Sequence, residues 1–244
     1  MLFRSEPEEI FEATRRLLCP RQDLKGLKVL VTAGATREMI DPVRYLTNRS
    51  TGKMGYAISE AARDRGAEVT LVSGKTDLDK PDHVSRQEVI STQDMYDAVT
   101  ALAPENDIVI QAAAPADFTP EEYKREKIKK TGNCLTLKLV NTKDIAAAIG
   151  QNKQPGQVFV AFAAETDADR EKADQKRIRK NADMIVLNDI SVPGAGFGTD
   201  TNIVTFISDD EITQHPLLTK REVADLIIDK VLDIRRAKGC ATQK

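Results

Sequence analysis

The chain has 244 residues, which is long enough for one α/β core. Although 30% of the residues are charged, the formal net charge at pH 7 is only −2, which gives no support to a nucleic-acid-binding protein. Three widely separated cysteines and two histidines argue against a disulfide framework, a zinc site and a Ser-His-Asp triad. No apolar run reaches ~18 residues and the N-terminus does not resemble a signal peptide, so we expect a cytoplasmic protein without a membrane span.

The first 23 residues are predicted to form a linker with a short helix. Residues 7–18 place apolar side chains on one helical stripe, and Cys19-Pro20 ends that pattern. We therefore expect the folded domain to occupy residues 24–240.

Residues 27–55 predict a strand, a glycine turn, a loop and a helix. The β-branched run Val29–Val31 ends near Gly34, and Ser50–Gly52 opens a helical pattern. Unpaired N–H groups and the helix dipole favour an anion at such a helix start. The spacing matches neither G-x-G-x-x-G nor a P-loop, so a phosphate site and a purely structural unit both remain open.

Apolar runs and amphipathic stretches alternate along the rest of the chain. They predict strands near residues 68–74, 84–90, 107–114, 158–164 and 184–189, separated by helices, with Thr142 capping the helix that begins at Asp144. A hairpin over 203–213 and a closing helix over 220–236 follow. This order is typical of a Rossmann-like, doubly wound, mostly parallel sheet of about six strands.

Residues 119–141 interrupt the alternation and predict a β-excursion. A charge-dense stretch ends in Lys127–Lys130, and a turn precedes alternating Leu135, Leu137 and Leu139. Their common side needs a partner, which is either the chain's own core or a second subunit.

Small residues at strand ends and clustered lysines together indicate a polyanionic ligand. Residues 112–114 and 163–164 are alanines, which permit close approach at the carboxyl ends where α/β sheets bind ligands. Lys172, Lys176 and Lys180 share one helix face, although a solvated surface balanced by neighbouring acids explains such a face equally well.

Several motifs between about Leu24 and Leu232 resemble those of the phosphopantothenoylcysteine synthetases of coenzyme A biosynthesis. They are VTAGATREMIDPVRYLTNRSTGKMG, AAAPADF, EKIKK, VAFAAETD, QKRIRKNADMIVLND and GFGTD. The resemblance implies a CTP-dependent ligase that joins 4′-phosphopantothenate to cysteine through an acyl-cytidylate, with release of pyrophosphate and CMP.

The resemblance also implies roles for individual residues. Asn48 would hold the acyl intermediate and assist its aminolysis, Arg44 and Ala113 would bind phosphopantothenate, and Lys127 would act in catalysis by neutralising phosphate charge. The implied CTP contacts are Asp117, Lys127, Lys143, Asp144, Ile145, Ala146, Phe162, Lys176 and Lys180. The three phosphates of CTP also require a divalent ion, and we expect Mg²⁺. This ion is usually held by the substrate phosphates and water, so no residue is implied as a metal ligand.

As partners, the resemblance implies a homodimer formed by the 119–141 excursion, with Lys127 near a shared active site, and a flavin-dependent decarboxylase that is fused or separate. Two alternatives stay open from the residues alone. One is a non-catalytic or NAD(P)-type nucleotide-binding protein, against which the missing G-x-G-x-x-G counts. The other is an assembly protein built on the excursion.

Overall fold

The computed structural model describes residues 10–11, 14, 21–130, 132, 134–165, 169–189, 196 and 198–241. The predicted 7–18 helix therefore lies mostly outside the described residues, where 10, 11 and 14 are helical. Within the described ranges, no helix is both long and apolar enough to cross a bilayer.

The described strands and helices alternate along most of the chain. The strands are β1 (Lys28–Ala33), β2 (Arg37–Met39), β3 (Tyr45–Thr47), β4 (Glu68–Ser73), β5 (Ser85–Glu88), β6 (Ile108–Gln111), β7 (Phe118–Pro120), β8 (Leu139–Asn141), β9 (Val158–Glu165), β10 (Met184–Asp189), β11 (Thr201–Asn202), β12 (Val204–Ser208), β13 (Ile212–Gln214) and β14 (Leu218–Thr219). The α-helices are α1 (Lys53–Asp64), α2 (Thr92–Leu102), α3 (Ile145–Gln151), α4 (Arg170–Arg179) and α5 (Lys220–Ala241).

The main sheet has the strand order β13-β12-β10-β9-β6-β1-β4-β5. Strands β10 to β5 in that order are parallel, and β12 and β13 extend the sheet antiparallel beside β10. The predicted Rossmann-like α/β fold and the terminal hairpin are confirmed. The sheet has more strands than the predicted six because that hairpin joins it.

Helices cover both faces of the sheet, and each face has its own apolar core. On one face α1 packs against α5, with Ile58 and Ile227 fully buried. On the other face α2, α3 and α4 contribute to a second cluster that includes Met95 and Ile149. A sheet buried on both faces needs continuous apolar strands, which explains the uninterrupted runs in the sequence.

Strand β1 lies where the direction of winding reverses. The chain runs from β1 outward to β4 and β5, then crosses back to place β6 on the other side of β1 and continues to β9 and β10. Ligands of open α/β sheets bind outside the carboxyl ends of the strands at such a switch point. The topology therefore predicts a ligand site near the residues that follow β1 and β6.

Helix α1 lies very close to β1 because of Gly55. A Cβ atom at this position would lie 2.6 Å from Ala33 Cβ and 2.7 Å from the carbonyl oxygen of Thr32. Only glycine fits such a contact without a backbone shift. Gly52, which caps α1, has φ of 85°, a conformation that glycine adopts without strain.

Two local predictions need correction. The cap of α3 is Asp144, whose side chain accepts a hydrogen bond from Ala147 N at 3.0 Å, whereas Thr142 Oγ1 donates to the carbonyl oxygen of Ala116 at 2.6 Å. Asp144 immediately precedes the first helical residue, so its carboxylate reaches the third N–H and Thr142 does not. The predicted strand alternation also fails at Leu135 and Leu137, because only the ends of the excursion pair, as β7 with β8.

Candidate functional site

A cavity of about 1050 Å³ opens at the carboxyl ends of β6, β9 and β10. Its wall consists of the loop before α1, the loop after β6, the start of α3, one side of α4 and residues near the start of α5. The lining residues are 48–54, 111–117, 141–146, 161–164, Lys176, Lys180, Asn188, Gly196, Asn202 and Lys220.

Most of the predicted site residues lie in this one wall. Those that line the cavity are Asn48, Ala113, Asp117, Lys143, Asp144, Ile145, Ala146, Phe162, Lys176 and Lys180. Arg44 and Lys127, which are also described residues, lie outside it. The fold thus brings together segments that are more than 100 residues apart in the chain.

The start of α1 forms one side of the cavity. Residues 50–54 line it, and the helix cap at Gly52 makes no side-chain hydrogen bond to the first turn. Amides at an uncapped helix start are available to an anion. The Lys53 ammonium donates to Asp200 Oδ1 at 2.7 Å and to the carbonyl oxygen of Gly198 at 3.2 Å, which connects α1 to the opposite wall.

Asn48 holds two loops together at the cavity. Its Nδ2 atom donates to the carbonyl oxygens of Ala114 and Pro115, each at 3.1 Å. Both amide hydrogens are used in these bonds. Asn48 therefore fixes the loop before α1 against the loop after β6.

Threonine side chains fix the loop that carries Ala113 and Asp117. The N–H of Ala113 donates to Thr32 Oγ1 at 3.1 Å, and the N–H of Ala116 donates to Thr36 Oγ1 at 2.9 Å. Thr142 binds the carbonyl oxygen of Ala116 from the other side. Since the loop's own backbone groups are bonded to side chains, its shape is set before any ligand arrives.

A buried lysine provides positive charge on the α4 side. The Lys180 side chain is 10% exposed, and its ammonium forms an ion pair with Asp144, the residue that caps α3. Burial lowers the pKa of Lys180, and the charge of Asp117 opposes that shift. Lys176 lines the same wall one helical turn earlier.

Two further lining residues have buried polar atoms without partners. Gln111 Oε1 and Asn188 Oδ1 make no hydrogen bond to any described residue, although each side chain belongs to a residue only 8% exposed. Unpartnered buried acceptors are rare and costly, so they point to donors that arrive with a ligand. A signal available in the sequence is a polar residue at the end of an apolar strand, such as Asn188 after residues 184–187.

Lys220 at the start of α5 holds another part of the wall. It is 7% exposed and donates to the carbonyl oxygens of Gly196, at 3.3 Å, and Thr199. Burial and the nearby Lys53 lower the pKa of Lys220. Asn202 Oδ1 accepts from the Gly196 N–H at 3.2 Å. These contacts place the described part of the GFGTD motif at the cavity, while Phe197 lies outside the described residues.

Arg44 and Lys127 are close to each other in the fold but belong to a different surface. Arg44 lies in the β2–β3 ribbon and bonds to Asp41 and to the carbonyl oxygen of Ile128, the neighbour of Lys127. The Lys127 side chain is exposed.

Within the described part of the chain, no group of three or more His, Cys, Asp or Glu side chains could hold a metal ion. Cys134 is exposed and is not bonded to another cysteine. The carboxylates in the cavity wall are Asp117 and Asp144.

Known proteins match most of the length of this chain. Residues 24–234 match the family model described as the DNA/pantothenate metabolism flavoprotein C-terminal domain. The chain is 43% identical over 238 residues to the coenzyme A biosynthesis bifunctional protein CoaBC of Bacillus subtilis, covering 96% of this chain and 58% of that protein. It is 42% identical over 230 residues to CoaBC of Escherichia coli K12, covering 93% of this chain and 57% of that protein.

A solved structure is also similar. The C-terminal domain of a CoaBC protein superimposes with a TM-score of 0.75 at 46% identity, covering 88% of this chain and 100% of that domain. The chain thus spans less than two thirds of the length of its bifunctional relatives and corresponds to their C-terminal part. The resemblance inferred from the motifs is confirmed, and the chain belongs to the family of DNA/pantothenate metabolism flavoprotein C-terminal domains.

Proposed function

We propose that the chain is a phosphopantothenate–cysteine ligase that uses CTP and acts in coenzyme A biosynthesis. The observation that carries the proposal is the single cavity in whose wall Asn48, Asp117, Lys176 and Lys180 meet. The relatives of the chain in Bacillus subtilis and Escherichia coli are named as coenzyme A biosynthesis proteins.

The proposed reaction has two steps. In the first, a carboxylate oxygen of phosphopantothenate attacks the α-phosphorus of CTP, and the bond from that phosphorus to pyrophosphate breaks. In the second, the cysteine amine attacks the acyl carbon, loses a proton, and CMP leaves with the electron pair of the broken C–O bond. Negative charge develops on phosphoryl oxygens and then on the carbonyl oxygen, so fixed cations and amide donors favour the transition states.

The lysines of α4 suit the triphosphate. Lys176 and Lys180 approach from one side and the uncapped start of α1 from another, so charge develops between positively polarised groups. We assign the protein backbone of Lys143, Asp144, Ile145 and Ala146 to contacts with the nucleotide. Asp117 is assigned to the sugar or base of CTP, and Phe162 to its base. The unpartnered acceptors of Gln111 and Asn188 supply further bonds to ligand donors.

We propose that Mg²⁺ enters with the nucleotide. A hard cation of this size is usually held through phosphate oxygens and water, with one or two carboxylates at most. Two carboxylates, Asp117 and Asp144, line the cavity, and Asp144 already pairs with Lys180 and caps α3. When bound, the ion neutralises phosphate charge.

We propose a homodimer formed through the 119–141 excursion. Phe118, directly before the excursion, and Tyr123, Leu135 and Leu139 within it are large apolar side chains between 42% and 53% exposed. We propose that this contact brings Lys127, and Arg44 with it, close to an active site near the interface. Light scattering tests this arrangement, because a monomer that turns over at full rate contradicts a shared site.

The remaining partners follow from the same proposal. Phosphopantothenate and cysteine are the substrates, and a decarboxylase, fused or separate, consumes the product. We place this activity in the cytoplasm and expect neither nucleic acid nor a membrane as a partner.

Pyrophosphate release tests the proposed function. Purified protein with Mg²⁺, phosphopantothenate and cysteine should release pyrophosphate with CTP, and omission of phosphopantothenate should abolish release. Replacing CTP by ATP, GTP or UTP in parallel reactions measures the nucleotide preference. Nucleotide binding without any release of pyrophosphate would contradict the ligase and favour a non-catalytic binding protein.

A further inference from the structure

Asp41 is a fully buried carboxylate between β2 and β3 that accepts five hydrogen bonds. Three come from backbone N–H groups, those of Val43 at 2.9 Å, Arg44 at 2.9 Å and Ile128 at 3.1 Å. Two come from the Arg44 side chain, from Nε at 3.0 Å and from Nη2. A buried charge is tolerated only when it is paired and hydrogen-bonded, and Asp41 meets both conditions.

The Arg44 guanidinium and the three N–H groups hold the pKa of Asp41 well below its usual range. Each of these donors stabilises the charged form of the carboxylate. Asp41 is therefore anionic throughout the pH range in which enzymes are assayed. Its partners are fixed by a charge that does not titrate there.

The hydrogen bonds of Asp41 join two parts of the chain that are 87 residues apart. Ile128 donates its N–H to Asp41, and its carbonyl oxygen accepts from Arg44 Nη2 at 2.8 Å. The N–H of Lys124 also donates to the carbonyl oxygen of Ile40 at 3.0 Å. The segment that contains Lys127 is thus fixed on both sides of that lysine, although residues 121–130 form no strand or helix.

Arg44 keeps part of its guanidinium available while it is held. Nε and Nη2 are engaged, whereas Nη1 makes no hydrogen bond to any described residue, and the side chain is 41% exposed. The exposed side chain of Lys127 belongs to the residue before Ile128, whose carbonyl oxygen Arg44 binds. A guanidinium edge and an ammonium on two segments that are hydrogen-bonded to each other can bind one phosphate group between them.

We propose that Asp41 is a positioning residue that holds Arg44 and Lys127 in one fixed arrangement and so presents both cations together to a phosphorylated ligand. The identity of that ligand rests on the proposed function. The hydrogen-bonded connection between the Asp41–Arg44 turn and the segment around Lys127 does not depend on the proposed function. Two cations set in place before binding lose less entropy on binding than two separate flexible side chains.

Hydrogen–deuterium exchange tests the coupling without any substrate. In Asp41→Asn, backbone amides in residues 43–46 and 124–130 should both exchange faster, by about tenfold or more, with the rest of the sheet unchanged. Arg44→Lys, which leaves Asp41 intact but removes the bond to Ile128, should accelerate 124–130 as well. Unchanged exchange over 124–130 in both variants would overturn the proposal.

Asp23→Asn is the matched control. Asp23 also receives a two-pronged ion pair, from Arg65 Nε at 2.8 Å and Nη2 at 2.6 Å, and its pKa is also lowered, chiefly by that hydrogen bonding. It lies beside the C-terminal end of α1, away from the cavity. Its loss should leave exchange over 43–46 and 124–130 unchanged.

Kinetics separate positioning from a general loss of structure. Where the wild type releases pyrophosphate, Asp41→Asn should lower kcat by about tenfold or more. In an Arg44→Gln/Lys127→Gln background the same change should cost less than about twofold, because the groups it positions are absent. Equal losses of kcat in both backgrounds would overturn the proposal. A wild-type protein that shows no turnover would instead contradict the proposed function. In that case the hydrogen–deuterium exchange result still decides whether Asp41 couples the two segments.

Discussion

The carboxamide of Asn48 donates both of its hydrogens to carbonyl oxygens of the neighbouring loop. Asn48→Asp would replace this donor by a carboxylate facing two acceptors, and the loops would separate. We expect product formation to slow by about 100-fold or more, because a shift of about 1 Å in the loops of a site can cost that much, with a smaller effect on nucleotide binding. Pyrophosphate release and calorimetric titration with CTP measure the two effects, and equal losses would restrict Asn48 to binding.

Lys180 should contribute strongly to nucleotide affinity. Removing a charge-assisted contact in an enclosed site costs ~2–4 kcal/mol, so Lys180→Met should weaken CTP binding by about 30-fold or more. Lys172→Met is the matched control, since Lys172 is an exposed lysine of the same helix outside the cavity wall. Calorimetry on both variants checks the prediction, which fails if the two lose affinity equally.

Sequence motifs supplied residues for the site but not their partners. Asp117 and Lys180 were predicted from motifs, and both line the cavity. The contribution proposed for Gln111 depends on the absence of a hydrogen-bond partner among the described residues, a property that exists only in three dimensions. Likewise, no local pattern indicates that Asp41 bonds to Ile128, because that contact depends on how the excursion returns to the β2–β3 ribbon.

Among the elements, α1 depends on its close contact with β1. Gly55→Ala would place a methyl group 2.6 Å from Ala33 Cβ and should destabilise the fold by ~1–3 kcal/mol. Gly239→Ala is the control, because an added Cβ on this helical glycine of α5 would have no described atom within 4 Å apart from its own helix backbone and its two chain neighbours. There we expect a gain of up to ~1 kcal/mol. Urea unfolding measures both, and a loss at Gly239 equal to that at Gly55 would contradict the argument.

The β12–β13 hairpin should make stability depend on pH through His215. The ring lies 4.5 Å from that of Phe206, its Nε2 is buried without a partner among the described residues, and burial lowers its pKa, with Glu211 opposing. The unfolded chain then binds more protons than the folded one as pH falls below about 6.5. Stability should be complete above that pH and decline below it.

Urea unfolding between about pH 5.5 and 7.5 measures this dependence. The free energy of unfolding should rise with pH over that range in the wild type. His215→Phe removes the titrating group while keeping a ring beside Phe206, so its slope should be smaller. An identical slope in the variant would assign the dependence to other groups.

At the level of elements, the sequence predicted most strands because parallel strands covered on both faces are continuously apolar. The cap of α3 was assigned to Thr142 instead of Asp144 because two good capping residues lie close together, and only the helix start distinguishes them. The excursion was harder, since residues 121–130 are fixed by bonds to Asp41 and Ile40 and not by strand pairing.

For the whole molecule, the alternation of strands and helices predicted the α/β class, and the reversal of winding at β1 explains why the cavity lies where it does. Arg44 and Lys127 lie outside the cavity of the chain to which they belong, and the motifs could not predict this position. It agrees with the proposed dimer, in which the apolar excursion meets a second copy.

In the proposed reaction, the carboxylate of phosphopantothenate becomes bonded to the α-phosphorus of CTP. Turnover of phosphopantothenate labelled with ¹⁸O in its carboxylate, with CTP and cysteine and mass spectrometry of the products, detects this bond. We expect one ¹⁸O atom in the phosphate of CMP and none in pyrophosphate. Label in inorganic phosphate with formation of CDP, or CMP without label, would contradict it.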